Sequence, residues 1–226
     1  MLEVSWDPVW ESVFRSQEWG KYPPEYVVRF VARRWYQVSR RSEVRLLDLG
    51  SGPGACAWYM AREGFSVSAI DGSPTAIAQL ARRLATEGLH AERLVGDIVR
   101  LPWSDDTFDG VIDNAALYAN RLAQAQRIVS EVRRVLKPGG HFLSANFSDR
   151  CWGNGLGREV EPGGFTDITE GPFKHKGFSR FTTRAQVHEL YRAFEEVVVD
   201  SVAWSLGEGR HVMELWVVEC CKAAGA

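Results

Sequence analysis

Apolar and polar positions follow two different periods along this chain, and the order in which those periods occur predicts its elements. Residues 5 to 19 and 24 to 38 carry apolar side chains at helical spacing, separated by Gly20-Lys21-Tyr22-Pro23-Pro24. Val27, Phe30, Val31 and Trp35 recur at i, i+3, i+4 and i+8, the mark of a buried helical stripe. From residue 44 onward short apolar runs alternate with amphipathic ones. The runs predict strands at Val44–Leu49, Phe65–Ile70, Ala91–Gly96, Phe108–Asp113 and His141–Phe147. Helices are predicted between them, at Ala55–Arg62, from Pro74 to about Thr86, and at Leu122–Leu136. Ser73 can cap the second of these with Pro74 at its first position, and Lys137-Pro138-Gly139-Gly140 stops the last.

The pattern changes after Phe147. Residues 148 to 182 are rich in glycine and polar side chains with little periodicity, which predicts a long excursion, and an excursion inside a compact domain is more often functional than idle. A helix predicted at Arg184–Phe194 then returns the chain to two β-rich segments, Glu196–Trp204 and Val212–Cys221. These are joined by Ser205-Leu206-Gly207-Glu208-Gly209-Arg210 and read as an antiparallel hairpin at the sheet edge. Strands alternating with helices imply a parallel sheet covered on both faces. The expected fold is therefore α/β, a doubly wound Rossmann-like sheet, mostly parallel, with an antiparallel C-terminal edge hairpin. One domain is expected over 1–226: a helical cap at 1–43, a ligand-binding core at 44–147, the excursion as a lid at 148–182, and a helix with the hairpin at 183–226.

Composition narrows the function. Hydrophobic residues at 45% and charged residues at 25% are ordinary globular values, and a net charge of −2 offers no broad basic field for nucleic acid. Four cysteines (Cys56, Cys151, Cys220, Cys221) show no metal-ligand spacing, and Cys220 and Cys221 are neighbours that a strand points to opposite faces. Free thiols follow, and no metal site is expected; Asp105, Asp106 and Asp109 follow a surface turn. No apolar run reaches membrane-spanning length, and the Met1–Pro8 stretch lacks the basic-then-apolar plan of a signal peptide. A cytoplasmic protein with no membrane partner is the expectation, its oligomeric state left open.

The stretch Leu46-Leu47-Asp48-Leu49-Gly50-Ser51-Gly52-Pro53-Gly54 carries the chemistry. A buried strand ends in a loop of alternating glycines, whose backbone can approach a ligand closely, and feeds a helix whose free N–H groups point back at it. Two nucleotide readings compete. The loop can be fitted to the dinucleotide fingerprint, with Asp71, 21 residues after Gly50, on the ribose, which would make a nicotinamide-dependent oxidoreductase. The pattern Asp48-x-Gly50-x-Gly52-x-Gly54, the Leu136–Gly140 turn before strand five and the terminal hairpin together resemble the class I S-adenosylmethionine-dependent methyltransferases. That resemblance implies S-adenosylmethionine as cofactor, with S-adenosylhomocysteine as product. It assigns the loop (Asp48, Gly50, Ser51, Gly52, Gly54) and Asp71-Gly72-Ser73 to the cofactor, Asp71 taking the ribose diol. Asp97 and Ile98 would read the adenine and Asn114 the methionine end. A third reading is a non-catalytic cofactor-binding module that regulates a partner through its tryptophan-rich N-terminus.

Methyl transfer needs alignment and exclusion of water more than a catalytic triad, and a base only where the acceptor arrives protonated. Acceptor contacts are expected from segments outside the cofactor motifs: Trp19 and Tyr22 near the N-terminus, Tyr118 after strand four, and Lys174 and Arg180 in the excursion. His175, between Gly171 and Gly177, is the candidate general base. The loop after strand four, Asn114-Ala115-Ala116-Leu117-Tyr118-Ala119-Asn120, lacks the histidine that many small-molecule members carry there. A small, polar methyl acceptor is expected, oxygen favoured over nitrogen.

Overall fold

The computed structural model describes residues 6–225. Residues 1–5 and 226 lie outside them, including the first residue of the first predicted helix and the start of the stretch read for a signal peptide. Two helices lead, α1 (Val9–Ser16) and α2 (Glu25–Trp35). There follow β1 (Arg45–Leu49), α3 (Ala55–Arg62), β2 (Ser66–Asp71), α4 (Pro74–Thr86), β3 (Glu92–Val95), β4 (Phe108–Asn114), α5 (Leu122–Val135) and β5 (Leu136–Phe147). The excursion holds β6 (Arg158–Glu161), β7 (Gly164–Thr166) and β8 (Ser179–Arg180), and the chain closes with α6 (Arg184–Leu190), β9 (Glu195–Leu206) and β10 (His211–Cys221).

Seven strands form one sheet in the order β3-β2-β1-β4-β5-β10-β9. The first five are parallel, and β10 runs antiparallel to both β5 and β9. The expected doubly wound sheet with a reversed hairpin is what forms, and the sheet order reverses between β1 and β4. Side-chain alternation along β1 explains the two cores: Leu46 enters one face with the α2 stripe and α3, while Leu47 and Leu49 enter the other with α5 and α6. Phe30, Val27 and Val31 of that stripe are wholly buried, each such side chain contributing about 1.5–3 kcal/mol. All four cysteines are free and buried. Among the described residues no helix is long and apolar enough to cross a membrane.

Element ends shift by a few residues throughout, α1 spanning Val9–Ser16 against the expected 5–19, and three differences bear most on the fold. β5 starts at Leu136 rather than His141, because Leu136 already pairs with Phe108 and the Pro-Gly-Gly segment runs on as irregular strand. The helix after the excursion stops at Leu190, and Tyr191–Phe194 turn so that Tyr191 and Phe194 reach the core beneath α5. The excursion is not an open loop: β6, β7 and β8 pair into a small antiparallel sheet. Its base is closed by a bridge between Ser148 and Thr182, and its apolar underside gathers Phe165, Phe173 and Phe181 against Tyr118 and Met213.

Candidate active site

A cavity of about 410 Å³ runs along the carboxyl edge of the parallel strands, the place where open α/β sheets bind ligands. Its lining follows the sheet order. Gly96 and Ile98 after β3 come first, then Asp71 and Gly72 at β2, Gly50 to Pro53 after β1, and Asn114 to Ala116 at β4. Beyond the switch point it continues over Phe147 of β5, Met213 of β10, and Trp204 and Leu206 of β9. Trp10 and Phe14 of α1, the Trp19 segment, and Pro172, Phe173 and Lys176 of the excursion roof it.

The end over β1–β3 is built by backbone. Gly50, Gly52 and Gly54 all have positive φ, +64°, +50° and +80°. Close packing adds a second reason for glycine at two of them: a Cβ on Gly50 would lie 2.3 Å from that of Ala116, and one on Gly54 2.2 Å from Leu80 Cδ1 of α4. Gly52, which lines the cavity with Gly50, has its Cα face under the Phe14 ring, 3.4 Å from where a Cβ would stand. Asp71 accepts the Gly52 N–H on Oδ2 and the Ser73 N–H on Oδ1, each at 2.8 Å. Each oxygen retains lone-pair capacity for a ligand hydroxyl. Burial raises the Asp71 pKa, while the Ser73 and Gly52 bonds oppose the rise. Asn114 Oδ1 accepts the Tyr26 hydroxyl at 2.5 Å, which aims the rest of its amide at the cavity.

Several sequence-assigned residues support this end from below and do not line it. Asp48 is fully buried and accepts the Ala57 N–H at 2.7 Å, tying strand to helix. Gly54 packs on Leu80. The buried Ser73 hydroxyl caps α4 by accepting the Ala76 N–H at 3.1 Å, and donates to Glu11. Asp97 turns its carboxylate onto the Val99 N–H at 3.1 Å, leaving Ile98 to face the cavity. Asp113, which the sequence did not single out, fixes the loop after β4: Oδ1 accepts the Ala116 and Leu117 N–H groups, and Oδ2 the Ser144 hydroxyl. Burial pushes Asp48 up to about 7 and Asp113 up to about 6. Three buried acids thus stand near the carboxyl ends of β1, β2 and β4, where burial favours the neutral forms and a cationic ligand would favour the ionised ones.

Helix α1 is fastened over this end. Glu11 accepts from the Ser73 and Thr75 hydroxyls, bonds that with Arg15 hold its carboxyl down at about 2. The Gln79 side chain donates to the Phe14 carbonyl at 2.7 Å, and Trp6 lies so close to Gly72 that a Cβ there would be 2.4 Å from the indole.

The end over β4, β5 and the hairpin is built by side chains. Tyr118, expected there, is 4.7 Å edge-on from Phe147 and 5.9 Å from Phe173, and Trp10 stands edge-on to it at 6.2 Å. Trp19, also expected, packs at 6.2 Å from Trp10. Four other expectations are corrected. His175 sits exposed at a turn with φ +63° and lines an adjoining open hollow together with the exposed Lys174. The preceding turn swings both outward so that Phe173 can enter the core. Tyr22 is 71% exposed and packs edge-on to Trp58, outside the cavity. Arg180 is buried beneath the excursion and lines no part of the cavity. Among the described residues no histidine lines it, and the titratable lining groups are Asp7, Asp71, Tyr118 and Lys176. The sequence missed Phe14, Phe147, Lys176 and Met213, which belong to four segments far apart in the chain.

The 3-2-1-4-5 parallel sheet closed by a reversed hairpin, with a glycine loop and an acid ending the second strand, is similar in fold to the class I S-adenosylmethionine-dependent methyltransferases. Residues 46–140 match the methyltransferase domain family. An uncharacterized methyltransferase of Synechocystis is 38% identical over 98 residues, 43% of this chain and 44% of that one. A demethylmenaquinone methyltransferase of Beutenbergia cavernae is 34% identical over 108 residues, 48% of this chain and 42% of that one. The chain thus spans less than half the length of these relatives. A SAM-dependent methyltransferase structure from Methanosarcina mazei superposes with TM-score 0.72 at 21% identity, covering 90% of this chain and 100% of that one. The Burkholderia thailandensis 1,6-didemethyltoxoflavin-N1-methyltransferase, with its substrate and S-adenosylhomocysteine bound, gives 0.64 at 20% identity, covering 88% and 77%. At such identities the likeness is one of fold.

Proposed function

We propose that this protein transfers a methyl group from S-adenosylmethionine to a small molecule, with an oxygen acceptor favoured over nitrogen. The single observation that carries the reading is the continuous cavity from Asp71 and Gly52 to the aromatic end, roofed by α1 and the excursion. Its volume falls among small-molecule sites, about 300–1,000 Å³. When bound, the cofactor supplies an electrophilic methyl on a sulfonium. On this reading Asp71 takes the ribose hydroxyls, Ile98 lies against the adenine and Asn114 meets the methionine end. The buried acids suit its positive charge, and the aromatic roof excludes water. The titratable groups lining the cavity among the described residues are Asp7, Asp71, Tyr118 and Lys176, a set that suits an acceptor able to ionise without a histidine base. Nitrogen stays second because the Burkholderia neighbour is named for an N1 acceptor. The reversed β10 weighs against the nicotinamide alternative.

Calorimetric titration with S-adenosylhomocysteine and NAD in parallel tests the reading. Micromolar binding of the first alone is expected, weakened by about 1–3 kcal/mol in Asp71→Ala, the worth of charge-assisted hydrogen bonds. Binding of NAD alone would overturn it, and tight S-adenosylhomocysteine binding with no methyl release to any acceptor would favour the non-catalytic module.

A further inference from the structure

Lys176 is the one cation lining the cavity among the described residues, and nothing in the reading above uses it. Its ammonium stands 5.3 Å over the Trp19 ring and, among the described residues, forms no ion pair or hydrogen bond through the side chain. Burial lowers its pKa. The backbone around it is held in place. Phe173, three residues earlier, accepts the Lys176 N–H at 3.1 Å and is itself buried against Tyr118, Phe147 and Phe181. Gly177, with φ +68°, lies so close to Asp7 that a Cβ would be 2.1 Å from its carboxylate. Asp7 accepts the Val9 N–H at 3.0 Å and so caps the first turn of α1. Lys176 is thus a partly desolvated positive charge on a braced turn, at the end of the cavity whose walls are flat rings.

Such walls favour a planar apolar body, through stacked and edge-on ring contacts. An unpaired ammonium in that setting favours an anion, because a charge loses less screening there than in water. We infer that the acceptor is a flat aromatic molecule carrying an acidic hydroxyl, that its ring packs among Trp10, Tyr118 and Phe173, and that Lys176 holds its oxygen as the anion. This deepens the methyltransferase reading and rests on it. The hydroxyl O–H breaks, its proton passes to water, and the electron pair stays on oxygen beside the ammonium; the resulting oxyanion needs no protein base. Of the cavity's carboxylates, Asp7 lies against Gly177 beside Lys176, its Oδ1 accepting the Val9 N–H, and Asp71 ends β2 against the glycine loop; Tyr118 adds a hydroxyl whose pKa burial raises.

The probe is 4-nitrophenol, whose anion absorbs in the visible, with 4-nitroanisole as the ring that cannot ionise. Each is titrated into the wild-type chain with and without S-adenosylhomocysteine, across pH. Bound nitrophenol is expected to ionise about one pH unit or more below the free compound, as for a group beside an opposite charge. Lys176→Met should abolish that shift while leaving nitroanisole and S-adenosylhomocysteine affinity unchanged, which also shows that the variant folds. Lys176→Arg should keep it. An unshifted nitrophenol in the wild type, a shift that survives Lys176→Met, or no binding of either ring overturns the inference. Failure of S-adenosylhomocysteine alone to bind breaks the methyltransferase reading instead, since the ring titration without it reads Lys176 on its own.

Discussion

The two ends of the cavity are made from different material. Over β1–β3 the ligand surface is main chain: a glycine loop, the residue after Asp71, and Ile98 beyond a turn, all within about fifty residues of sequence. Over β4, β5 and the hairpin it is side chain, and its rings come from residues 10, 19, 118, 147, 173 and 204. A surface of backbone demands particular residue types at fixed spacing, because glycine is the residue that tolerates both the dihedrals and the contacts. A surface of side chains demands only bulk and flatness, which many sequences supply. One end can therefore be written as a motif and the other cannot.

The sharpest way to test how far the backbone end depends on missing side chains is to add one methyl group in the glycine loop and one at an exposed glycine of the excursion. Gly54 and Gly155 have nearly the same left-handed backbone, φ +80° and +76°, but Gly54 is packed on Leu80 and Gly155 has nothing within 4 Å. Gly54→Ala should cost about 2–5 kcal/mol, left-handed strain of about 1–2 plus overpacking of about 1–3. Gly155→Ala should cost the strain alone. Denaturant midpoints read both, and equal losses would mean that α4 does not depend on the missing Cβ.

The same contrast explains what could be read in advance. The alternation of strands and helices, the edge hairpin and the glycine loop were legible because each rests on local periodicity or local dihedrals. Asp71 and Asn114 were legible as the ends of strands. Asp48, Ser73 and Asp97 were placed on the ligand because a motif records which residue is required and not which way it faces; each proves to hold a backbone N–H instead. The excursion hid its structure because β6, β7 and β8 are four, three and two residues long, too short for any period to register. Lys176 and His175 were indistinguishable in sequence. One turn, with Phe173 as its anchor, sends the first inward and the second out.

The buried acids under the backbone end should give it a pH signature that the side-chain end lacks. Asp48, raised to about 7, binds a proton in the folded state that the unfolded chain releases near its ordinary value of 3.8. Asp113, raised to about 6, does the same over a narrower window. The folded state then holds more protons than the unfolded state, so stability falls as pH rises from about 4 to about 7, by at most about 1.4 kcal/mol per pH unit per group. Asp48→Asn, which keeps an acceptor for the Ala57 N–H, should remove the slope between pH 6 and 7 and roughly halve that between pH 4 and 6, where Asp113 still contributes. A slope unchanged by the substitution would assign it to other groups. Glu11, held down at about 2, acts with the opposite sign, losing its contribution as pH falls below about 4.5, and so does not overlap this window.

The smallest effect is expected at the residue the sequence favoured most for chemistry. His175 has a left-handed backbone, is exposed, and lies outside the cavity. Its imidazole therefore contributes neither a proton path nor packing, and its conformation is one that costs a side chain about 1–2 kcal/mol. Glycine there removes that strain but gives the unfolded chain more freedom, which offsets about 0.5–1 kcal/mol of the gain. His175→Gly should thus leave methyl transfer within about twofold, less than the 1.4 kcal/mol that marks a tenfold change, and stabilise the protein by no more than about 1.5 kcal/mol. Its pH–rate profile should match the wild type, whereas Lys176→Met, one residue away, should lose the turnover that depends on an ionised acceptor. A rate lost in His175→Gly most strongly at low pH would restore the imidazole as the base and require the turn to invert when the acceptor binds.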